Sequence, residues 1–308
     1  MTIFNIQSGH SNSYMREILT MWRDTRMIML VAVTAAVYAA VLIPFKGLTI
    51  IPGITSVRPA NVFPVVFGLM FGPAAAWGAA LGNLIGDVFG GTFGPGSAFG
   101  FVGNFFFGFV GYKLWGNLGG LSSGVRPDFR EKAGRQLVEY AVVALVASAV
   151  TAAIIAWGLE VLGLFPFSVL GTVVTVNNLL AAAVLGPPLL YLVYPRVESM
   201  GLLYTDVMRD EDLPTVGHGR QQAIAYGITA VSVVWVVAGI AVSVGVQGVE
   251  FGAAPGGDVF GQGGSTVQIV LGAVAFTALF VMSALSGERL SEMTAPATRT
   301  RAAESGSD

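Results

Sequence analysis

Stretches of about twenty apolar residues recur along this chain with scarcely a charge inside them. They lie at roughly 26–44, 97–115, 137–162, 168–195, 221–246 and 267–286. A helix rises about 1.5 Å per residue, so roughly 20 such residues cross the hydrocarbon core of a bilayer. Only 11% of the 308 residues are charged, against about 25% in an ordinary soluble domain. That is too little charge to cover a soluble fold of this size. The pattern excludes a soluble enzyme and a disordered chain. It also excludes a nucleic-acid binder, which needs a basic surface. The expected class is an all-α polytopic membrane protein. With no cysteine in the chain, disulfides and thiolate metal sites are excluded as well.

Between the first two stretches lies a harder region. Pro59–Phe71 and Ala74–Phe89 flank the break Gly72-Pro73. Each piece is short for a full crossing, so the region reads either as two short spans or as a re-entrant hairpin. Both alternatives return the chain to the same side. The expectation is eight helices: six over residues 26–195, then two plainer ones over 221–286 with no role legible in their sequence. Residues 1–25 read as a cytoplasmic segment, 196–220 as a polar linker with the run Asp210-Glu211-Asp212, and 287–308 as a disordered tail. Placing both termini in the cytoplasm puts 14 of the 16 lysines and arginines inside, leaving Lys46 and Arg58 outside. The first stretch is too long, and its leader too acidic, for a cleaved signal peptide.

Polar groups are costly inside a bilayer, so they mark function or helix packing. Arg58 and Asn61 flank Pro59. Asn83 and Asp87, four residues apart, share one helix face. Asn104 falls two turns into the next span, and Asn177 and Asn178 fall in the outer half of the sixth. The expected topology puts all of them at similar depth toward the outside, which suggests a pocket open to that side. A guanidinium can form a fork with a carboxylate or phosphate. Asn amides offer both donors and acceptors, which suits heterocycles. Phe63, Phe89, Phe93, Phe99, Phe101 and Trp157 lie near the same level and could stack on a planar ligand. Small residues recur every four positions at Ala32/Ala36/Ala40, at Ala35/Ala39, and at Gly78/Gly82/Gly86/Gly90. Such stripes permit close helix approach or docking of another subunit.

Other chemistries fail on inventory. Gly94-Pro95-Gly96-Ser97 looks like a nucleophile loop, but both histidines, His10 and His218, lie outside the apolar stretches. A metal site would need more ligands than Asp87 and Glu160. No phosphate-binding loop is present for nucleotide hydrolysis. No enzyme activity, cofactor or metal is expected. A self-contained secondary transporter is the competing reading. It requires a coupling carboxylate near mid-membrane, for which Asp87 sits off-centre.

The run Arg58-Pro59-Ala60-Asn61-Val62-Phe63-Pro64, then Gly68-Leu69-Met70-Phe71-Gly72-Pro73, then Gly78 to Asp87, resembles the S components of energy-coupling factor (ECF) transporters. The resemblance covers about residues 26–195, and the last two helices depart from it. It implies a prokaryotic cell-membrane protein that captures a vitamin or related micronutrient from outside. Uptake would be driven by a separate transmembrane T subunit and ABC ATPase subunits. It further implies that Ala32, Ala36 and Ala40 face the T subunit and that 45–57 is a lid. The candidate pocket is then Arg58, Asn61, Asn83, Asp87, Asn104 and Asn177. A flavin, a pterin, a corrinoid or a modified base would fit such a set.

Overall fold

The computed structural model describes residues 16–46, 58–214, 217–253 and 258–294. Among these, helices of ten residues or more are α1 (Thr25–Lys46), α2 (Val62–Phe71), α3 (Pro73–Phe89) and α4 (Gly96–Leu114). They are followed by α5 (Ala133–Val161), α6 (Phe167–Ser199), α7 (His218–Gly245) and α8 (Thr266–Leu285). No strand occurs among the described residues. Five segments are long and apolar enough to cross a membrane: Thr25–Phe45, Ala133–Val161, Phe167–Val207, His218–Gly245 and Thr266–Met293. The chain is a polytopic helical membrane protein, with a six-helix bundle and two added helices.

The first of these spans starts from a side-chain cap. Asp24 accepts hydrogen bonds from the backbone N–H groups of Arg26 (2.7 Å) and Met27 (3.3 Å), two donors that the first helical turn leaves unpaired. The 59–89 region is a helical hairpin. It turns at Gly72, whose φ of +51° is a conformation that side chains resist. Tyr204, from the linker after α6, packs its ring where a Cβ at Gly72 would sit, at 2.7 Å. The elbow therefore lies at the end of the bundle rich in arginine and lysine. From there Pro59–Phe71 rises only about 20 Å at 1.5 Å per residue, so it stops inside the bundle rather than at its far face.

Small residues let these helices close up. A Cβ on Gly68 would lie 2.3 Å from the Gly108 carbonyl oxygen, so α2 and α4 cross in backbone contact. Gly78 and Gly82 hold α3 against α1, beside Thr34, Ala35 and Tyr38. This contact sorts the two alanine stripes of α1. Ala35 and Ala39 are buried against α3, while Ala32, Ala36 and Ala40 face outward.

The two added helices are bolted to the six-helix bundle at both ends. At the glycine-rich end, the fully buried Glu160 of α5 accepts N–H donors from Phe167 (2.6 Å), the Gln247 side chain (2.9 Å) and Ser265 (2.8 Å). Phe167 opens α6 and Ser265 caps α8. Two helix N-termini thus converge on one carboxylate. Midway, the Trp157 indole donates to the Ile269 carbonyl (3.1 Å) and stacks on Phe276. At the basic end, Lys113 forms a buried ion pair with Glu17 (2.5 Å) and donates to the Ser286 carbonyl (3.0 Å). Glu288 accepts from the Tyr204 hydroxyl (2.6 Å), and Arg289 donates to Gly116 (3.0 Å). The stretch 287–294 is therefore packed, ending in the short helix Leu290–Thr294, where the sequence suggested a disordered tail. Residues 295–308 lie outside the described residues.

Replacing Glu160 with Ala strands the buried Phe167 donor, at a cost of about 1–3 kcal/mol, and leaves two part-buried donors without this partner. Glu160→Ala should lower the melting temperature of the solubilised protein, followed by the fluorescence of Trp157 and Trp235 at the same junction. An unchanged melt would show that this carboxylate does not hold the two parts together.

Candidate functional site

The bundle interior contains one layer of polar side chains, drawn from four segments. Tyr38 of α1 sits on the buried face that carries Ala35 and Ala39. Its hydroxyl lies within hydrogen-bonding distance of Asn61 Oδ1 (3.2 Å) and Asn104 Oδ1 (2.9 Å). Asn61, in the turn Pro59–Asn61 that begins the hairpin, donates through Nδ2 to Asn178 Oδ1 of α6 (2.6 Å). All four side chains are less than 5% exposed. The layer lies about 12 Å from the end of α1 and the start of α4, and about 16 Å from the start of α6, at 1.5 Å per residue. It is reached by the hairpin because Pro59–Phe71 is short: its first turn, rather than a surface loop, brings Asn61 to this depth.

A second group lies one turn toward the glycine-rich end. Asn104 donates to the Gly100 carbonyl (2.9 Å), which links the two levels along α4. At Gly100 a Cβ would come within 3.0 Å of Asn83 Nδ2 and 3.7 Å of Asp87 Oδ2. Glycine there lets α4 approach the polar face of α3. Asn83 donates to Asp87 Oδ2 (3.3 Å), and the Thr92 hydroxyl donates to Asp87 Oδ1 (3.2 Å). Asp87 is half-buried near the end of its helix, where α3 gives way to the loop 90–95. Arg58 is half-buried at the start of the hairpin. Both Arg58 and Asp87 lie within electrostatic range of Tyr38.

The structure thus joins Asn61 with Asn104 through Tyr38, and Asn83 with Asp87, and it connects the two groups through one turn of α4. Asn177 is buried beside Asn178, whose side chain makes the contact to Asn61. Tyr38 is absent from the sequence-derived set. Its only sequence signal is a phenol on the same face as Ala35 and Ala39. Of the aromatic side chains, Phe63 packs against the cluster that contains Tyr38, and the others lie elsewhere. Phe99 pairs with Trp157, which turns toward the added helices, and Phe101 lies against Trp77. Phe89 and Phe93 are exposed at the glycine-rich end. Of the segment read as a lid, Phe45 and Lys46 complete α1, and 47–57 lie outside the described residues.

An Asn side chain carries two N–H donors and a carbonyl with two lone pairs. The pairings above use only part of that capacity. With a carboxylate on one side and a guanidinium on the other, the arrangement suits a planar ligand presenting several donors and acceptors. It provides no nucleophile–base pair for covalent chemistry.

No curated protein and no solved structure matches the chain. A family model described as QueT transporter matches residues 28–195, more than half of the chain and the whole of the six-helix part from α1 through the proline-containing end of α6. The chain therefore belongs to the QueT transporter family, a family of ECF-type S components.

Proposed function

We propose that this S component captures a queuosine precursor, a guanine-like base, from outside the cell, and that separate T and ATPase subunits drive its uptake. The observation that carries this reading is the polar layer itself. Within the matched region, the hairpin inserts Asn61 beside Tyr38, Asn104 and Asn178, with Arg58 in electrostatic range of Tyr38. The Asn83–Asp87 pair lies one turn further out. A guanine-like base carries adjacent N–H donors on one edge and a carbonyl on the other. The two oxygens of Asp87 accept from the donor edge. The Asn61, Asn104 and Asn178 amides meet the remaining ring positions, and Arg58 faces the carbonyl. Asn177, next to Asn178 on α6, is also buried.

The outward stripe Ala32, Ala36 and Ala40 is the surface on which a transmembrane helix of the T subunit packs, since small side chains let two helices approach closely. The added helices leave it open, because α7 and α8 lie against α5 and α6 while α1 packs on α3 and α2. The excess of lysine and arginine at the Gly72 end supports a topology with that end, and both termini, in the cytoplasm. The polar layer then lies toward the outside.

Two experiments test this. Hydrogen bonds to a charged group contribute about 1.5–3 kcal/mol. Asp87→Ala should therefore weaken precursor binding by roughly 10- to 100-fold in a calorimetric titration of the solubilised protein. Undiminished affinity would move the donor-recognition role elsewhere. Ala36→Phe should abolish co-purification of the T subunit while precursor affinity stays at the wild-type value. A loss of both would assign the stripe to packing within the chain.

A further inference from the structure

At the basic end, between α4 and α5, the chain makes a loop whose backbone is held against its own preference. Phe129 and Lys132 both have positive φ, +58° and +47°, and neither is glycine. Bulky side chains avoid this region, and such residues persist only where their surroundings over-determine them. Here the fixing groups are buried. Gln136 accepts from Phe129 N–H (2.9 Å) and donates to the Glu131 carbonyl (2.5 Å). The Phe129 ring rests against Tyr140. The carboxylate of Glu139, fully buried, accepts from the backbone of Gly116 and Ser123 at 2.7 Å each, pinning the start of the loop.

This framework presents three cations on one rim. Arg130, Lys132 and Arg135 are all exposed. Arg130 lies over the Tyr191 ring at 5.5 Å. Lys132 and Arg135 each spend one donor on a loop carbonyl, Ser123 and Gly120. That leaves most of their N–H groups available, since an ammonium has three donors and a guanidinium five. Of the nearby acids, Asp128 is buried and accepts from Arg130 N–H, Glu198 pairs with Arg126, and Glu131 is exposed. The rim is net positive. Directly along the helices from it, Leu137, Val138 and Leu192 are about half exposed or more, and Tyr191 is 50% exposed. A basic rim above bare apolar side chains and an interfacial tyrosine matches the boundary between headgroups and acyl chains. The rim lies on α5 and α6, away from the α1 stripe that faces the T subunit.

We propose that Arg130, Lys132 and Arg135, with Tyr191 beside them, form a binding site for the phosphate headgroup of an anionic phospholipid. The strained loop serves to hold those cations at headgroup height, and the exposed Leu137, Val138 and Leu192 take the acyl chains.

The test places the full chain in nanodiscs of phosphatidylcholine with rising phosphatidylglycerol and reads the melting temperature. Because both leaflets are alike, the readout does not depend on which way the protein faces. The wild type should be stabilised as phosphatidylglycerol rises. The triple variant R130Q/K132Q/R135Q should melt like the wild type in pure phosphatidylcholine yet lose most of the lipid-dependent shift. R23Q/R26Q, which removes two exposed arginines near the start of α1, should keep it. The single variant R135Q, at an exposed position outside the strained residues, should show a partial loss and serves if the triple variant does not fold. A shift that survives in R130Q/K132Q/R135Q, or in R135Q where only that variant folds, overturns the proposal. So does an equal loss in R23Q/R26Q, which would mean general charge attraction. Reproduction of the shift by soluble glycerol phosphate would make the site one for free anions. Loss of T or ATPase co-purification with the lipid shift intact would make the rim a protein-docking surface, and both results overturn the lipid assignment.

Discussion

Inside a bilayer there is no water to satisfy a donor or an acceptor, so each polar group on these helices must find its partner within the chain or in a ligand. This requirement organises the molecule at three levels. At the glycine-rich end, Glu160 collects N–H donors from the start of α6, the loop after α7 and the start of α8. In the middle, Tyr38, Asn61, Asn104 and Asn178 satisfy one another across α1, the hairpin, α4 and α6. At the basic end, Lys113 ties Glu17, near the first described residue, to Ser286, after the last long helix. The levels at the glycine-rich and basic ends use charges that are met by charge-assisted hydrogen bonds, which are among the stronger kind. The middle level uses neutral amides whose capacity is only partly spent. On the proposed function, that difference separates the groups that hold the fold from the groups that exchange partners with a substrate.

Close packing makes the middle level possible. Gly68 against Gly108, and Gly78 and Gly82 against α1, bring backbones near enough that short side chains such as Asn can bridge between helices. The hairpin supplies the remaining geometry. Because Pro59–Phe71 turns at Gly72 and is only 13 residues long, it ends partway up the bundle, and its first turn carries Arg58 and Asn61 inward. A full-length helix would have carried those residues to the far surface. The two added helices complete the body on the α5 and α6 side without covering α1, so the reading of α1 as a docking surface is compatible with the extension.

Much of the candidate site is legible in the sequence because a membrane helix contains so few polar residues. Asn61, Asn83, Asp87 and Asn104 stand out against their apolar neighbours, and the i, i+4 spacing of Asn83 and Asp87 predicts the contact that forms. Tyr38 is not legible, because a tyrosine in an apolar helix reads equally well as packing or as an interfacial anchor. Nor is the choice of Asn178 over Asn177 for the bond to Asn61, since adjacent residues differ by about 100° around a helix and only the neighbouring helices decide which one faces in. Glu160 carries the opposite lesson. In sequence it counts only as too little for a metal site, and the fold spends it on two helix N-termini.

The sequence by itself determined that the chain is helical and membrane-embedded, which end is basic, and which handful of polar residues lie within the bundle. These follow from composition and from spacing along one helix, both of which are local. Tertiary structure alone decided that Ala35 and Ala39 pack while Ala32, Ala36 and Ala40 remain outside, and that residues 287–294 return to the bundle. It also decided that the hairpin stops at mid-depth and that a tyrosine joins the amides. Each of these depends on which helix lies alongside, and an apolar helix with a nearly uniform surface does not encode its own rotation. Only the pairing of glycines, carboxylates and amides between helices sets it.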